Sequence, residues 1–315
     1  MNPGVMVEWF HRQGLGTIQH NGLNWVFAGP RVLQAIPYNL VISPPEEELR
    51  ELLHKHKVIS LRYSTPLQAR QGKISYHVVT NTTFEIKQLA KKVRHDVSRG
   101  LEYADYEPIP FERLANEGWQ LRQETLTRQG RVGAEVQNWW QRLCLSAKGL
   151  PGFEAWGSIH DGRLCAALLG FYNSEDRCFS ILYQQSRTEE LKNGVNNTLA
   201  FQVTNNILAH HPEAWIFYGL HSLDAPPSVD EFKFRMGFSA KPVRQRVVFN
   251  PFVAPLVNRW TVAMLTKARQ IRPGNYLLAK AEGMLRFYLD GNLPLEQQSW
   301  PLALEDQRAE ILNSQ

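Results

Sequence analysis

Trp215-Ile-Phe-Tyr-Gly-Leu220, then His221-Ser-Leu-Asp-Ala-Pro-Pro227, then Ser228-Val-Asp-Glu-Phe-Lys-Phe-Arg-Met-Gly-Phe238, then residues 243–249 form the stretch on which the fold turns. It reads as an apolar strand, a Pro-broken crossing, a short helix and a second strand. Ser228 and Glu231 have the S-x-x-E spacing of a capping box, so the helix is expected to start at Ser228. Gly237 takes the left-handed position that ends a helix without a Cβ clash, and Phe238 can fold back onto the apolar face. That stop leaves Lys233 four residues before the glycine.

Working outward, Val195, Leu199, Val203 and Ile207 recur at four-residue spacing and predict a helix over 195–209 with one buried stripe. Residues 153–160, 163–172 and 177–185 read as three antiparallel strands joined at Asp161-Gly162 and Asn173-Ser174, the first pair being a strong hairpin signal. Residues 111–128 and 134–148 are helical in pattern, separated by Gly130 and Gly133. Upstream, residues 22–43 suit strands and turns, and Pro44-Pro45 before Glu46, Glu47 and Glu48 marks a helix start running to about Lys55. Strands are expected at 58–63 and 74–80, and a helix at 84–99. Beyond Pro251 come two helical patterns, 255–269 and 275–289, and the last fifteen or so residues are polar and expected to be loose.

At 315 residues the chain exceeds common single-domain size, and 43% hydrophobic residues with nine tryptophans suffice for a large core. The net charge of +5 favours anionic partners such as a nucleotide, a phosphorylated substrate, RNA or a membrane surface. Cys144, Cys165 and Cys178 are scattered, with no C-x-x-C pair and no His spacing that completes a metal site. A reduced, cytoplasmic setting and no bound metal are expected. No basic-then-apolar leader and no run long enough to span a bilayer is seen.

The region from 107 to 250 resembles the GNAT acyltransferase fold. Together with Lys87-Gln-Leu-Ala-Lys-Lys-Val-Arg-His-Asp-Val-Ser-Arg-Gly100, the helix from Gly194 and Glu231-Phe-Lys-Phe-Arg-Met-Gly237, it looks like the Fem-type branch, the peptidoglycan-bridge aminoacyl transferases and their relatives. The resemblance implies an α/β (α+β) fold in which a mixed sheet is flanked by helices, with two GNAT-like halves in tandem. Residues 1–106 would be a degenerate half, 107–250 the acyltransferase domain and 251–315 a C-terminal helical extension.

Common GNAT enzymes bind the coenzyme A pyrophosphate on a loop with two glycines, because glycine lets backbone N–H groups and a helix N-terminus close on the phosphates. The corresponding stretch, Gln184-Gln-Ser-Arg-Thr-Glu-Glu-Leu-Lys-Asn-Gly-Val-Asn-Asn197, is longer and has one glycine. Gln185, Arg187, Gly194, Asn196, Asn197 and Thr198 are the residues implied to hold the donor; Asn193-Gly194 also suits an ordinary helix-initiating turn. Many GNAT enzymes use a tyrosine where this chain has Lys233. The lysine agrees with the Fem-type pattern and is implied to meet substrate phosphate or the oxyanion, although its spacing also suits a snorkelling surface side chain.

Asp224 and Tyr183 are candidate bases, alongside His221 and Glu154. His221 also follows a strand end, where α/β folds commonly carry chemistry. Lys91 and Arg94 lie on the charged side of the basic helix and could face RNA or a nucleotide-linked substrate, or simply solvent. The sequence therefore points to an acyltransferase moving an acyl group from acyl-CoA to an amine through a tetrahedral intermediate. An aminoacyl-tRNA-dependent aminoacyl transferase and a catalytically silent GNAT-like binding module are the rivals.

Overall fold

The computed structural model describes residues 4–131, 133–223, 228–272 and 274–314. Its first elements are α1 (Gly4–Arg12), β1 (Thr17–His20), β2 (Leu23–Gly29), β3 (Val32–Ile36), α2 (Glu46–Lys55), β4 (Ser60–Thr65) and β5 (Lys73–Thr80). Next come α3 (Lys91–Tyr103), β6 (Asp105–Pro108), α4 (Phe111–Asn116), α5 (Gly118–Arg128), α6 (Gln137–Leu145), β7 (Phe153–His160), β8 (Arg163–Asn173) and β9 (Cys178–Ser186). The chain continues through α7 (Val195–His210), β10 (Trp215–Leu220), α8 (Ser228–Arg235) and β11 (Ser239–Phe249) to α9 (Arg259–Ile271), α10 (Tyr276–Gly291) and α11 (Arg308–Asn313). Among the described residues no helix is long and apolar enough to cross a membrane.

Two compact units emerge. The first comprises Met1–Val5, Val78–Gly219 and Ser228–Ser239; the second comprises Met6–His77, Leu220–Pro227 and Ala240–Gln315.

In the first unit β6, β7, β8 and β9 are antiparallel neighbours and β10 joins β9 in parallel. Asp161 and Gly162 both take positive φ (49° and 75°), the twist that lets a two-residue turn join β7 to β8. The helix α7 packs on β7, β8 and β9 and is covered by α3. That double contact is why Thr198, Ala200, Phe201, Thr204 and Leu208 are buried in addition to the expected Val195, Leu199, Val203 and Ile207. Contact with α3 is close at Gly100, where a Cβ would meet Thr198 Oγ1 at 2.1 Å. The predicted helix over 84–99 is shifted: a short 3-10 turn at Ile86–Gln88 precedes α3, which runs on to Tyr103.

In the second unit β1, β2, β3, β4 and β11 lie side by side. The β3–β4 pair is parallel and the others are antiparallel. The helix α2 covers one core with Leu49, Leu52 and Leu53 against Trp25, Leu33, Leu61 and Tyr63. A second core joins Val247 and Phe249 of β11 to Met284 and Phe287 of α10. The tail is packed, contrary to expectation, with Leu304 and Ile311 buried. The segment leading into it is anchored through Lys73, which pairs with Asp290 and donates to Ser299 O (2.8 Å) and Oγ (2.6 Å), and through Gln298, which accepts from Ile74 N at 2.7 Å.

His77 is buried in this unit with Nε2 2.8 Å from Ser64 Oγ. Burial, followed by the charges of Lys241 and Arg62, pushes its pKa down from 6.5 to about 3. Between those values the unfolded chain binds a proton that the native chain refuses. The stability is therefore complete above about pH 6.5 and is lost progressively as pH falls toward about 3. We expect His77→Gln to lose less Tm than the native protein when thermal melts are compared at about pH 7 and about pH 4.5; equal losses would remove His77 as the cause.

Candidate active-site cleft

Three register pairs join β10 to β9: Trp215 with Cys178, Ile216 with Phe179 and Phe217 with Ser180. Both strands continue, β9 to Ser186 and β10 to Leu220, without further register between them among the described residues. Local causes for the parting are visible on each strand. The β8–β9 register shifts between Leu169, opposite Tyr183, and Gly170, opposite Ile181, so that Leu182 is an extra residue that bends β9. On the other side Gly219 takes φ +118°, a conformation side chains rarely adopt.

The gap is a cavity of about 460 Å³, lined entirely by residues of the first unit. Tyr218 of β10 reaches across it to donate to Gln184 Oε1, and Gln184 Nε2 donates in turn to Asn196 O at 2.7 Å. The two parted strands and the first turn of α7 are thereby tied together. Burial, with the nearby Asp230 adding to it, pushes the Tyr218 phenol far above its ordinary pKa, so it remains a proton donor.

Lys233 enters from α8 and is 9% exposed. Its Nζ donates to Asp230 Oδ1 at 2.8 Å and to Tyr218 O at 3.1 Å, and lies 4.7 Å from the Tyr218 ring centroid. The predicted glycine stop accounts for its placement: Gly237 has φ +103° and Phe238 N donates back to Lys233 O at 3.2 Å. The capping-box expectation involves the Ser228 side chain, which lies outside the described residues.

The opposite wall is one face of α5, on which Arg122, Thr125, Arg128 and Gln129 follow helical spacing. Arg122 forms a two-pronged pair with Glu135 (Nε to Oε2 2.8 Å) and lies 5.0 Å from the Tyr183 ring centroid. Burial opposes its charge, but the Glu135 carboxylate outweighs it and holds the guanidinium more firmly protonated than usual. Arg128 is held by neutral oxygens: Thr188 Oγ1 at 2.7 Å, Thr125 Oγ1 at 2.9 Å and Ser186 O at 3.0 Å. With Arg131 and Lys233 these make a lining that contains cations and, among the described residues, no carboxylate.

Of the residues singled out in the sequence, Lys233, Tyr183 and Asn196 line this cleft. Gln185, next to Gln184 on β9, is buried, as expected for adjacent strand residues that face opposite sides. Arg187 is also buried and donates through Nε to Leu164 O at 2.9 Å. Gly194, Asn197 and Thr198 face α3: Gly194 abuts Asp96, Asn197 Nδ2 is 3.3 Å from Asp96 Oδ2, and Thr198 Oγ1 is 3.3 Å from Val97 O. Lys91 and Arg94 are exposed on α3. His221 belongs to the second unit, stacked on Tyr76 at 4.6 Å with Nδ1 3.1 Å from Ser75 Oγ. Asp224 lies outside the described residues. Arg122, Arg128, Tyr218 and Gln184 were not anticipated. The i, i+3, i+6 spacing of the two arginines around Thr125 is the signal that marks their common face.

A helix-covered mixed sheet whose two parallel strands diverge over a polar cleft is the GNAT fold. No protein-family model matches the sequence, and no curated protein matches it. Among solved structures it is similar to FemX, with 9% identity over 79% of this chain and 92% of that one, at a TM-score of 0.53. It is also similar to the C-terminal domain (DUF2156) of a putative lysylphosphatidylglycerol synthetase from Agrobacterium fabrum (12% identity, 80% and 89% coverage, TM-score 0.50). L-PGS from Bacillus licheniformis matches at 12% identity over 77% of this chain and 87% of that one, with a TM-score of 0.50. At such identities the likeness is one of fold.

Proposed function

We propose that the chain is an N-acyltransferase that moves an acyl group from acyl-CoA to an amine acceptor. The observation that carries this is the cation-walled gap opened where β9 and β10 part beyond Ser180 and Phe217. A strand edge released from its neighbour offers backbone groups to an extended donor arm lying along it. Arg128, Arg131 and the first turn of α7 at Asn196 offer charge and helix dipole to donor phosphates. Phosphate contact then falls to those arginines, since Arg187 is buried and lies outside the cleft lining. Gln185, Gly194, Asn197 and Thr198 act from behind, holding β9 and α7 in place. In this scheme the first unit carries the chemistry.

Attack by the acceptor nitrogen on the donor carbonyl carbon forms the C–N bond and puts negative charge on the carbonyl oxygen. Collapse expels the thiolate, and the proton lost by the amine ends on that sulfur. An ammonium has three N–H donors, of which Lys233 uses two on Asp230 and Tyr218 O, leaving one for the oxyanion. Proton removal is assigned to Tyr183 on the cleft wall or to Asp224, four residues along the sequence from the end of β10.

Two observations favour aminoacyl-tRNA as donor instead: a lysine stands where acetyltransferases resemble one another in a tyrosine, and FemX is among the similar structures. Lys91, Arg94 and the rest of the basic face of α3 would then meet RNA. A ligand that binds only the native state raises Tm by mass action, by about 2.7 kcal/mol of stability at a hundredfold excess over Kd. A Tm rise with coenzyme A supports the acyl-CoA reading. No rise, with salt-sensitive tRNA binding, supports the second. Neither response would leave a binding module without transfer chemistry.

A further inference from the structure

We propose that α9 and the segment before it form a docking surface for an anionic lipid bilayer. This inference concerns the second unit and does not depend on the transfer chemistry.

The helix α9 buries none of its residues, although it is rich in large apolar side chains. Trp260 is 83% exposed, Met264 69% and Ile271 80%, and just upstream Phe252 is 85% exposed. At 100° per residue Trp260, Met264 and Ile271 fall within one narrow stripe, so the apolar side of the helix faces outward. Its other side is already used: Arg269 pairs with Glu282 of α10 at 3.4 Å, and Thr261 and Leu265 line a cavity of about 610 Å³. Met264 belongs to both the exposed stripe and the cavity lining, so the apolar surface continues from the helix into the cavity. Exposed apolar surface of this extent marks an interaction site.

Charge selects the occupant. Residues 251–281 contain Arg259, Lys267, Arg269, Arg272 and Lys280 and no Asp or Glu. Lys267 sits within the apolar stripe itself, while Arg259 and Arg272 flank its ends. A second copy of the chain docking isologously would set these like charges against themselves. An anionic bilayer accepts both features: apolar side chains enter the acyl boundary, tryptophan suits the headgroup level, and lysine and arginine stems reach up to lipid phosphates. Each basic residue near such a surface is worth about fivefold in partitioning. Arg259, Lys267 and Arg272 together are thus worth on the order of a hundredfold.

The test is co-sedimentation of the full chain with vesicles of phosphatidylglycerol and phosphatidylcholine, against vesicles of phosphatidylcholine alone. Binding is expected to be on the order of a hundredfold stronger to the anionic vesicles and to weaken as salt is raised. The doubly substituted Met264→Glu, Ile271→Glu chain should lose at least about tenfold with its Tm unchanged, both positions being exposed. Equal binding to both vesicle types, no binding, or binding unaffected by the double substitution would overturn the proposal. So would a dimer seen by sedimentation velocity without vesicles and dissociated by the same substitutions, since the occupant would then be a second copy.

Discussion

Lys233→Met is expected to lower kcat for acyl transfer by about 10²–10³-fold while leaving donor KM nearly unchanged, because the oxyanion contact exists only in the transition state. The same substitution has a structural consequence that must be separated from the catalytic one. Lys233 and Asp230 form a buried pair, with side chains 11% and 8% exposed. Removing the ammonium leaves the desolvated Asp230 carboxylate without that counter-charge, at a cost of about 3–5 kcal/mol. The single variant should therefore be both inactive and destabilised.

Adding Asp230→Asn removes the uncompensated buried charge and should restore most of the lost stability, since replacing both members of a buried pair is often neutral. Turnover should stay lost in the doubly substituted chain. Steady-state kinetics and urea denaturation on the three proteins check this directly. Regained turnover in the double variant would make Lys233 a packing residue and withdraw it from the chemistry.

Gly194→Ala is expected to be among the most destabilising single-methyl additions in the chain. Gly194 has φ +75°, where a Cβ costs about 1–2 kcal/mol by itself. The added Cβ would also lie 2.0 Å from Asp96 O and 2.7 Å from Asp96 C, which are backbone atoms that cannot rotate aside. So α7 and α3 must separate, adding about 1–3 kcal/mol of overpacking. Gly149 is the matched control: its φ is +73° and nothing lies within 4 Å of its ideal Cβ. Gly149→Ala should show the backbone strain alone. Denaturant titrations giving equal losses for the two would refute the close α3–α7 approach. Because Asn196 follows two residues later on the cleft wall, Gly194→Ala should also weaken donor binding, and Gly149→Ala should not.

Much of the fold was legible because its signals are local. Asp161-Gly162 announced a turn needing two positive φ values, and both residues have them. Pro45 before Glu46, Glu47 and Glu48 announced α2, which begins there. Gly237 announced the end of α8 and hence the place of Lys233. What escaped was what depends on distant partners. The short helix α1 and the strand β6 carry weak patterns of their own; β6 is held by pairing Asp105 with Ile159 and Tyr106 with Ser158. The polar tail looked loose because Leu304 and Ile311 are isolated along the chain, yet both find buried positions.

The candidate site divides along the same line. Lys233, Tyr183 and Asn196 were legible as candidates because a glycine stop, a strand and a helix start place them within their own segments. The separation of Gln184 from Gln185 was not, since one residue of strand register, shifted by the Leu182 bulge, decides which of the two faces the cleft. Nor was the loss of Arg187 to Leu164 O, a carbonyl on the neighbouring strand.

By itself the sequence determined the order of most of the strands and helices, the turns between several of them and the segment that delivers a lysine near the end of the core. Periodicity, caps and glycine conformations are properties of residues a few positions apart. Only the tertiary structure decided that β9 and β10 part after Phe217, that Arg122 and Arg128 face the gap, and that Lys233 is buried against Asp230. Those outcomes follow from packing and pairing between segments remote in the chain, where a side chain's role is set by what closes over it.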